Sequence, residues 1–446
     1  MKPRFLPLAV LALCVCLSKQ VDAQQTAIDF FENGITKSKT GDYTGALQAF
    51  SMAITMNPEN AASYYNRGLA KANLKDHRGA VLDYDRAIEL NAKDAMAYLS
   101  RGLSKSKQED YRAALSDYSR AIELNPDDPQ SYYNRGVSRS HVEQYRGALA
   151  DFTKSIELEP SNIQAFYARG VIKQKLHDYP GSLSDFGKVI ETTPKRSSAY
   201  AGRGMSKVAL NDFTGALTDL AKAIELNPED SDSYYYRAYA KSKLDDYNGA
   251  LPDYDQTIRL KATNYAAYYG RGFCRSKLGD QKGAVQDFNQ AIEIDNANVE
   301  TKVVYSGRMS HTILDNLRNV VQERNKINEV GSERAEAYFS RGVSKSKQGE
   351  AKAAMIDLSK AIELSPTYAE AYFTRGLIKS SQGDQKSAIM DCNSAIKLNP
   401  RYAEAFYVRG LLKHSLGDEN GGCLDLSKAG EFGYTPAYKV ISEYCN

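Results

Sequence analysis

The chain has no tryptophan, only five histidines and six cysteines, and little net charge. Each shortage excludes something. The histidines (His77, His141, His177, His311 and His414) are scattered, without the spacing that metal ligation requires. A formal net charge of +3 with interspersed signs leaves no electrostatic footprint for nucleic acid. No stretch after residue 23 is apolar enough to span a bilayer. No glycine-rich phosphate loop occurs, because the recurrent glycines fall inside helical patterns. The chain is therefore not read as an enzyme, and no metal or cofactor is expected.

The first residues form a secretory pattern. Lys2 and Arg4 give a basic start, and Phe5 to Leu17 is apolar but too short to span stably. Val21-Asp22-Ala23 closes the segment in the small-residue form that signal peptidase accepts, so cleavage is expected after Ala23. Cys14 follows Leu13 and Cys16 follows Val15, whereas a lipid-carrying cysteine normally follows a small residue. Removing residues 1–23 takes away three basic residues and one acidic residue, which leaves a net charge of about +1 by that count. The mature protein is expected to be exported and soluble, in the periplasm or outside the cell.

What the chain has in abundance is repetition. SYYNRG stands at Ser63–Gly68 and again at Ser131–Gly136, and related words end at Gly102, Gly170, Gly204, Ala238, Gly272, Gly342, Gly376 and Gly410. The spacing is 34 residues, and the 31 tyrosines follow from it. In a frame started at Ala61, position 8 is glycine in all regular units but one, which has Ala238. Position 20 is almost always alanine (Ala80, Ala114, Ala148), and position 24 is bulky (Tyr84, Tyr118, Phe152, Leu220). Positions 21, 24 and 28, such as Leu115, Tyr118 and Ile122, share one helical face. Aspartate at position 16 (Asp76, Asp110, Asp212) suits the N-cap of a second helix. Proline at position 32 (Pro126, Pro160, Pro228) stops that helix. Each unit reads as helix, tight turn, helix, stop.

This pattern resembles the tetratricopeptide repeat (TPR) family, over about Ala27 to Tyr434. The resemblance implies an all-α fold: a right-handed α-α superhelix, or TPR solenoid, of about 12 helix-turn-helix repeats plus a C-terminal capping helix. The expected boundaries are signal peptide 1–23, repeats 1–8 over 24–298, an atypical helical repeat over 299–334, repeats 10–12 over 335–436, and a capping helix over 437–446. Segment 299–334 lacks the YxxRG word but keeps an apolar stripe at Ile313, Leu314, Leu317, Val320, Val321 and Ile327. A flexible break is the other reading of it.

One departure from the common family pattern recurs. Position 7 is arginine where an apolar residue is usual, position 23 is aspartate in the same ten units, and position 11 is Lys or Arg. Two helices that are antiparallel about position 16 set positions 7 and 23 opposite each other, so an Arg–Asp bridge is expected within each hairpin. Pairing between neighbouring units fits less well, because it would set Asp425 against Glu443. The arginines are read as structural rather than as ligands for an anionic partner.

The family resemblance places positions 2, 5, 9, 12 and 13 on the concave side. There the candidate binding residues are Tyr65, Leu69, Lys107, Tyr133, Tyr167, Lys175, Tyr235, Tyr239, Lys243, Tyr269, Phe273, Lys277, Phe339, Lys347, Phe373 and Tyr407. They make aromatic rungs with a lysine edge, suited to an extended or helical peptide or an acidic segment. Packing between first helices is the bland reading of the same rings, and stacking on sugar rings keeps a glycan open. Relatives that grip a chaperone's C-terminal carboxylate use Lys and Asn at positions 5 and 9, which are aromatic and aliphatic here. The function expected is a non-enzymatic scaffold for a protein or peptide partner, with a glycan- or cell-wall-binding module as the alternative. Among the four mature cysteines, Cys392 replaces the bulky core residue at position 24 and is read as a buried thiol. Two antiparallel neighbours meeting near Thr435 would bring Cys423 and Cys445 level. A disulfide and two unpaired thiols are both open there.

Overall fold

The computed structural model describes residues 26–306, with 298–306 as helical backbone alone, and residues 334–445. The expected signal peptide lies outside them, as do residues 307–333 of the atypical segment 299–334. Among the described residues every regular element is a helix. The chain divides into two bodies, residues 1–210 and 211–446.

Within each body the helices pair as hairpins. A 13-residue first helix such as Ala95–Lys107 is followed by a 14-residue second helix such as Tyr111–Leu124. Each second helix also packs on the first helix of the next unit, as Tyr111–Leu124 does on Pro129–His141. Asp110 caps its helix by accepting from the Ala113 amide, and Asp42, Asp76, Asp178, Asp212, Asp246, Asp384 and Asp418 do the same. A cap of this kind satisfies an amide the helix cannot. Position 34 adds a cap that the sequence reading did not name. Asn60, Asp94 and Asp128 accept from the first amides of the following first helix.

Position 8 is glycine because a ring lies on it. A Cβ placed at Gly68 would stand 2.6 Å from the buried Tyr84 ring, and one at Gly102 would stand 2.7 Å from Tyr118. The core is therefore a series of small-residue notches, each filled by one bulky side chain from the facing helix.

Across the segment 299–333 the contacts keep step. In regular units the Arg at position 7 reaches position 25 of the preceding unit 16 residues back, as Arg101 reaches Asp85. Arg341 makes the same contact with Asn289, 52 residues back. The difference, 52 − 16, is 36 residues. Ser344 meets Ser276 at 3.3 Å, and Tyr269 meets Ser340 at 3.4 Å. The helix over 334–347 thus stacks directly on Tyr265–Lys277 and Gln281–Ser306, as a next unit would. The latter helix runs on for 26 residues where other second helices stop at 14. Residues 295–298, Asp-Asn-Ala-Asn, supply no proline there.

At the C-terminus, helix Pro436–Tyr444 covers the last hairpin, with Ala437 fully buried. Cys423 and Cys445 form a disulfide (S–S 2.02 Å), so the open question at that pair resolves to the oxidised form. Cys392 is a buried free thiol, and so is Cys274. Burial pushes both thiols up to about 11.

Candidate functional site

The arginines come first, because they decide what the face beside them is free to do. In nine hairpins the position-7 guanidinium meets the position-23 carboxylate through two parallel hydrogen bonds. Arg67 donates to Asp83 at 2.9 and 2.7 Å, and Arg409 donates to Asp425 at 2.7 and 2.7 Å. The position-11 cation completes the group, as Lys105 reaches Asp117 at 2.8 Å and Arg139 reaches Asp151 at 2.7 Å. The aspartates are buried, with side chains no more than 6% exposed from Asp83 to Asp425. This bears out the bridge within the hairpin. The arginine has a further tie that the sequence reading had set aside. Its remaining Nη1 donates into the preceding unit, to Ser51, Asp85, Ser119, Thr153, Asp255, Asn289, Ser359 or Asn393.

Each arginine also lies over an aromatic ring three residues before it. Arg101 is 5.4 Å from the Tyr98 ring centroid, and Arg237 is 5.6 Å from that of Tyr234. Position 4 is aromatic in unit after unit, a signal visible in SYYNRG that the sequence reading did not use. Four residues of the recurrent word have distinct roles. Its first tyrosine supports the arginine, its arginine joins two hairpins, its glycine receives the core ring, and its second tyrosine faces outward.

That second tyrosine stands in the candidate row. Tyr65 packs against Tyr84 at 5.9 Å between ring centroids, Tyr133 against Phe152 at 5.8 Å, and Tyr167 against Phe186 at 5.7 Å. Phe339, Phe373 and Tyr407 rest instead on Tyr368, Tyr402 and Tyr434, at 4.9, 5.0 and 4.8 Å. All are half-buried, so each ring serves the core with one edge and leaves the other open. Leu69 is half-buried beside them, and Lys107, Lys175, Lys243, Lys277 and Lys347 are exposed. Two of these lysines lie over rings, Lys243 over Tyr239 at 5.2 Å and Lys277 over Phe273 at 5.4 Å.

In the body 211–446 the structure brings five candidates around one cavity of about 690 Å³: Tyr235, Tyr239, Lys243, Tyr269 and Phe273. Tyr247, Tyr265 and Tyr338 add rings the sequence reading had not placed there. So do Asp245, Asp295, Arg334 and Glu336, which bring charge. Tyr247 donates to Asp245 at 2.5 Å, and that bond raises its phenol above the ordinary range. Burial pushes Tyr269 up to about 12, against the smaller effect of its bond with Ser340. Arg334 pairs with Asp295 at 3.0 Å and donates to Asn296. These residues lie up to 103 positions apart in the chain, and only direct stacking of helix 334–347 on the preceding hairpin assembles them. Their chemistry offers several ring edges together with two cations, Lys243 and Arg334, and three carboxylates, Asp245, Asp295 and Glu336. Among the described residues no group of His, Cys, Asp or Glu is placed to hold a metal ion. No described helix is long and apolar enough to cross a membrane.

Comparison with known proteins agrees with this architecture. Models described as TPR repeat and tetratricopeptide repeat match residues 39–75, 105–139 and 220–251. A further tetratricopeptide repeat model matches 61–94, 197–230, 265–298, 335–368 and 369–402. No curated protein matches. Among solved structures, the C-terminal part of a TPR repeat-containing protein from Cytophaga hutchinsonii is 20% identical, with a TM-score of 0.46, over 54% of this chain and 98% of that one. A tetratricopeptide repeat protein from Parabacteroides merdae is 19% identical, with a TM-score of 0.41, over 56% and 99%. The Cut9–Hcn1 hetero-tetramer of APC/C is 13% identical, with a TM-score of 0.45, over 97% and 88%. With the repeat matched in both halves and each unit built as its residues dictate, the chain belongs to the tetratricopeptide repeat family, whose arrays serve as scaffolds for protein–protein interaction.

Proposed function

We propose that the protein is an exported adaptor that holds a segment of another polypeptide against the face carried by its first helices. The observation that carries this reading is the cavity beside Tyr235, Tyr239, Tyr269 and Phe273, edged by Lys243 and Asp245. Ring edges of this kind receive bulky side chains, while the flanking charges engage backbone or polar groups of the same segment. Stacking on a sugar asks for a broadly exposed ring face; Tyr235, Tyr239 and Tyr269 are half-buried, and Phe273 is 36% exposed with Lys277 lying over it. Export is supported by the basic and apolar start of the chain and by the Cys423–Cys445 disulfide, a bond that persists in oxidising compartments.

Selection from a displayed random-peptide library against the mature chain tests the reading. Selected peptides should share at least one bulky apolar residue and bind in titration calorimetry. The pair Tyr239→Ala and Phe273→Ala should weaken them by about tenfold or more, the loss expected for aromatic anchors. Recovery of no peptide, together with signal on a glycan array, would overturn it in favour of sugar binding.

A further inference from the structure

The face carried by the second helices shows a feature that the proposed function does not use. At position 22 of the last three regular units stand Ile356, Met390 and Leu424, which are 70%, 68% and 62% exposed. They repeat at 34-residue intervals on three successive second helices, Ala351–Leu364, Gln385–Leu398 and Glu419–Glu431. Earlier units place Ser116, Ala150, Ser184 and Thr218 at the same position, and Leu82 is the one large aliphatic there. The three side chains are therefore not required by the repeat.

Their surroundings are basic. One helical turn to either side of Ile356 lie Lys352 and Lys360, Lys386 precedes Met390 by one turn and Lys397 follows it by two, and Lys428 follows Leu424. Lys360 pairs with Glu363 at 2.6 Å, and Lys428 lies 5.7 Å from the Phe406 ring. Within these helices Glu419 and Glu431 are the other exposed acids, so beside the aliphatic row five lysines face three acids; the exposed caps Glu350, Asp384 and Asp418 stand at the helix starts, more than a turn before the row.

We propose that this face rests on an anionic lipid surface. Ile356, Met390 and Leu424 enter the headgroup region, and the lysines beside them meet lipid phosphates. A row of separated aliphatic tips among cations suits a deformable anionic layer, since each tip needs only a soft apolar medium and each lysine a nearby anion. A second copy of the chain fits poorly, because a two-fold contact through this row would set lysine against lysine. Contact of this kind is peripheral, in keeping with the absence of a membrane-crossing helix among the described residues. It stands independently of the peptide reading, and it leaves the opposite face free.

Vesicle flotation of the mature chain tests the proposal. Vesicles containing phosphatidylglycerol should carry the protein up the gradient, vesicles of phosphatidylcholine alone should not, and added salt should release it. The variant I356S/M390S/L424S copies residues the chain already uses at this position, so its circular dichroism and melting should be unchanged. Its partition onto anionic vesicles should fall by about tenfold or more, as the loss of three inserted aliphatic chains requires. The variant K352Q/K386Q/K397Q should show weaker binding with a shallower salt dependence. The proposal is overturned if anionic vesicles fail to bind the wild type or if the triple serine variant binds equally well. It is also overturned if light scattering shows that the row instead joins two copies of the chain.

Discussion

The units between residues 61 and 196 and those between 335 and 434 solve one packing problem in two ways. In the earlier group the core position carries a ring, Tyr84, Tyr118, Phe152 or Phe186, and the outward tyrosine of the same unit leans on it in three of the four, Leu99 standing in that place beside Tyr118. In the later group the core position shrinks to Leu358, Cys392 or Leu426, and the ring moves to the hairpin edge as Tyr368, Tyr402 or Tyr434. Position 34 changes role with it. Asn60, Asp94 and Asp128 cap a helix there, whereas Tyr368 and Tyr402 give up the cap for a ring contact. The turns differ too. Lys75, Glu109, Glu143 and His177 hold φ near +60°, and the later units use Gly349, Gly383 and Gly417 in that region. The Arg–Asp–cation group, with the ring beneath each arginine, is common to both. The repeat is thus defined by an electrostatic joint, around which apolar volume can be redistributed.

The comparison can be broken by experiment. The largest effect is expected from alkali. Buried phenols in the earlier units titrate late: Tyr118 is pushed up to about 12 by burial, and Tyr84 is raised further by the same cause. In the later units the raised groups include the buried Cys392 thiol, at about 11, the half-buried Tyr402, at about 12, and Tyr368, which burial raises further. Each has a folded value above its unfolded one, so its contribution is fully present below the unfolded value and is lost as pH rises through the folded one. Stability should hold up to about pH 9 and collapse toward pH 12, and circular dichroism against pH checks this.

Next comes the joint itself. Asp117→Ala strands Lys105 and leaves Arg101 its tie to Asp85, and Asp391→Ala strands Lys379 and leaves Arg375 its bond to Ser359. Both should cost roughly 3–5 kcal/mol in urea unfolding, with no difference between the two groups. The notch should separate them. Gly102→Ala meets the Tyr118 ring at 2.7 Å and should cost about 1–3 kcal/mol, whereas Gly376→Ala has its nearest neighbour at 3.2 Å and should cost under about 1 kcal/mol. The smallest effect is at the turn. Glu109→Gly should stabilise by up to about 1 kcal/mol, and Gly383→Ala should destabilise by a similar amount.

Much of this was legible in the sequence, because each unit states its own packing many times. The glycine notch, the Asp110-type caps, the Arg–Asp bridge and the buried Cys392 follow from residue types at fixed spacing. The cavity was legible only in pieces. Tyr235, Tyr239 and Tyr269 were readable from their period once the family resemblance had placed it on the concave side, but Arg334 and Glu336 join them because stacking passes over residues 299–333. A 34-residue frame does not report a skip of that kind. The link from Arg341 to Asn289 was missed for a related reason, since contacts between units depend on how one hairpin seats on the next, which no single unit encodes. The ring beneath each arginine lies three residues back on the same helix and was legible in the repeated word.

The most direct test of the adaptor reading is photo-cross-linking in the cells that produce the protein. A benzophenone side chain would replace Tyr239 on the first-helix face or Ser116, exposed on the second-helix face. Position 239 should yield discrete polypeptide adducts, and position 116 should yield none. Adducts at 116 alone, or none at 239, would contradict the account.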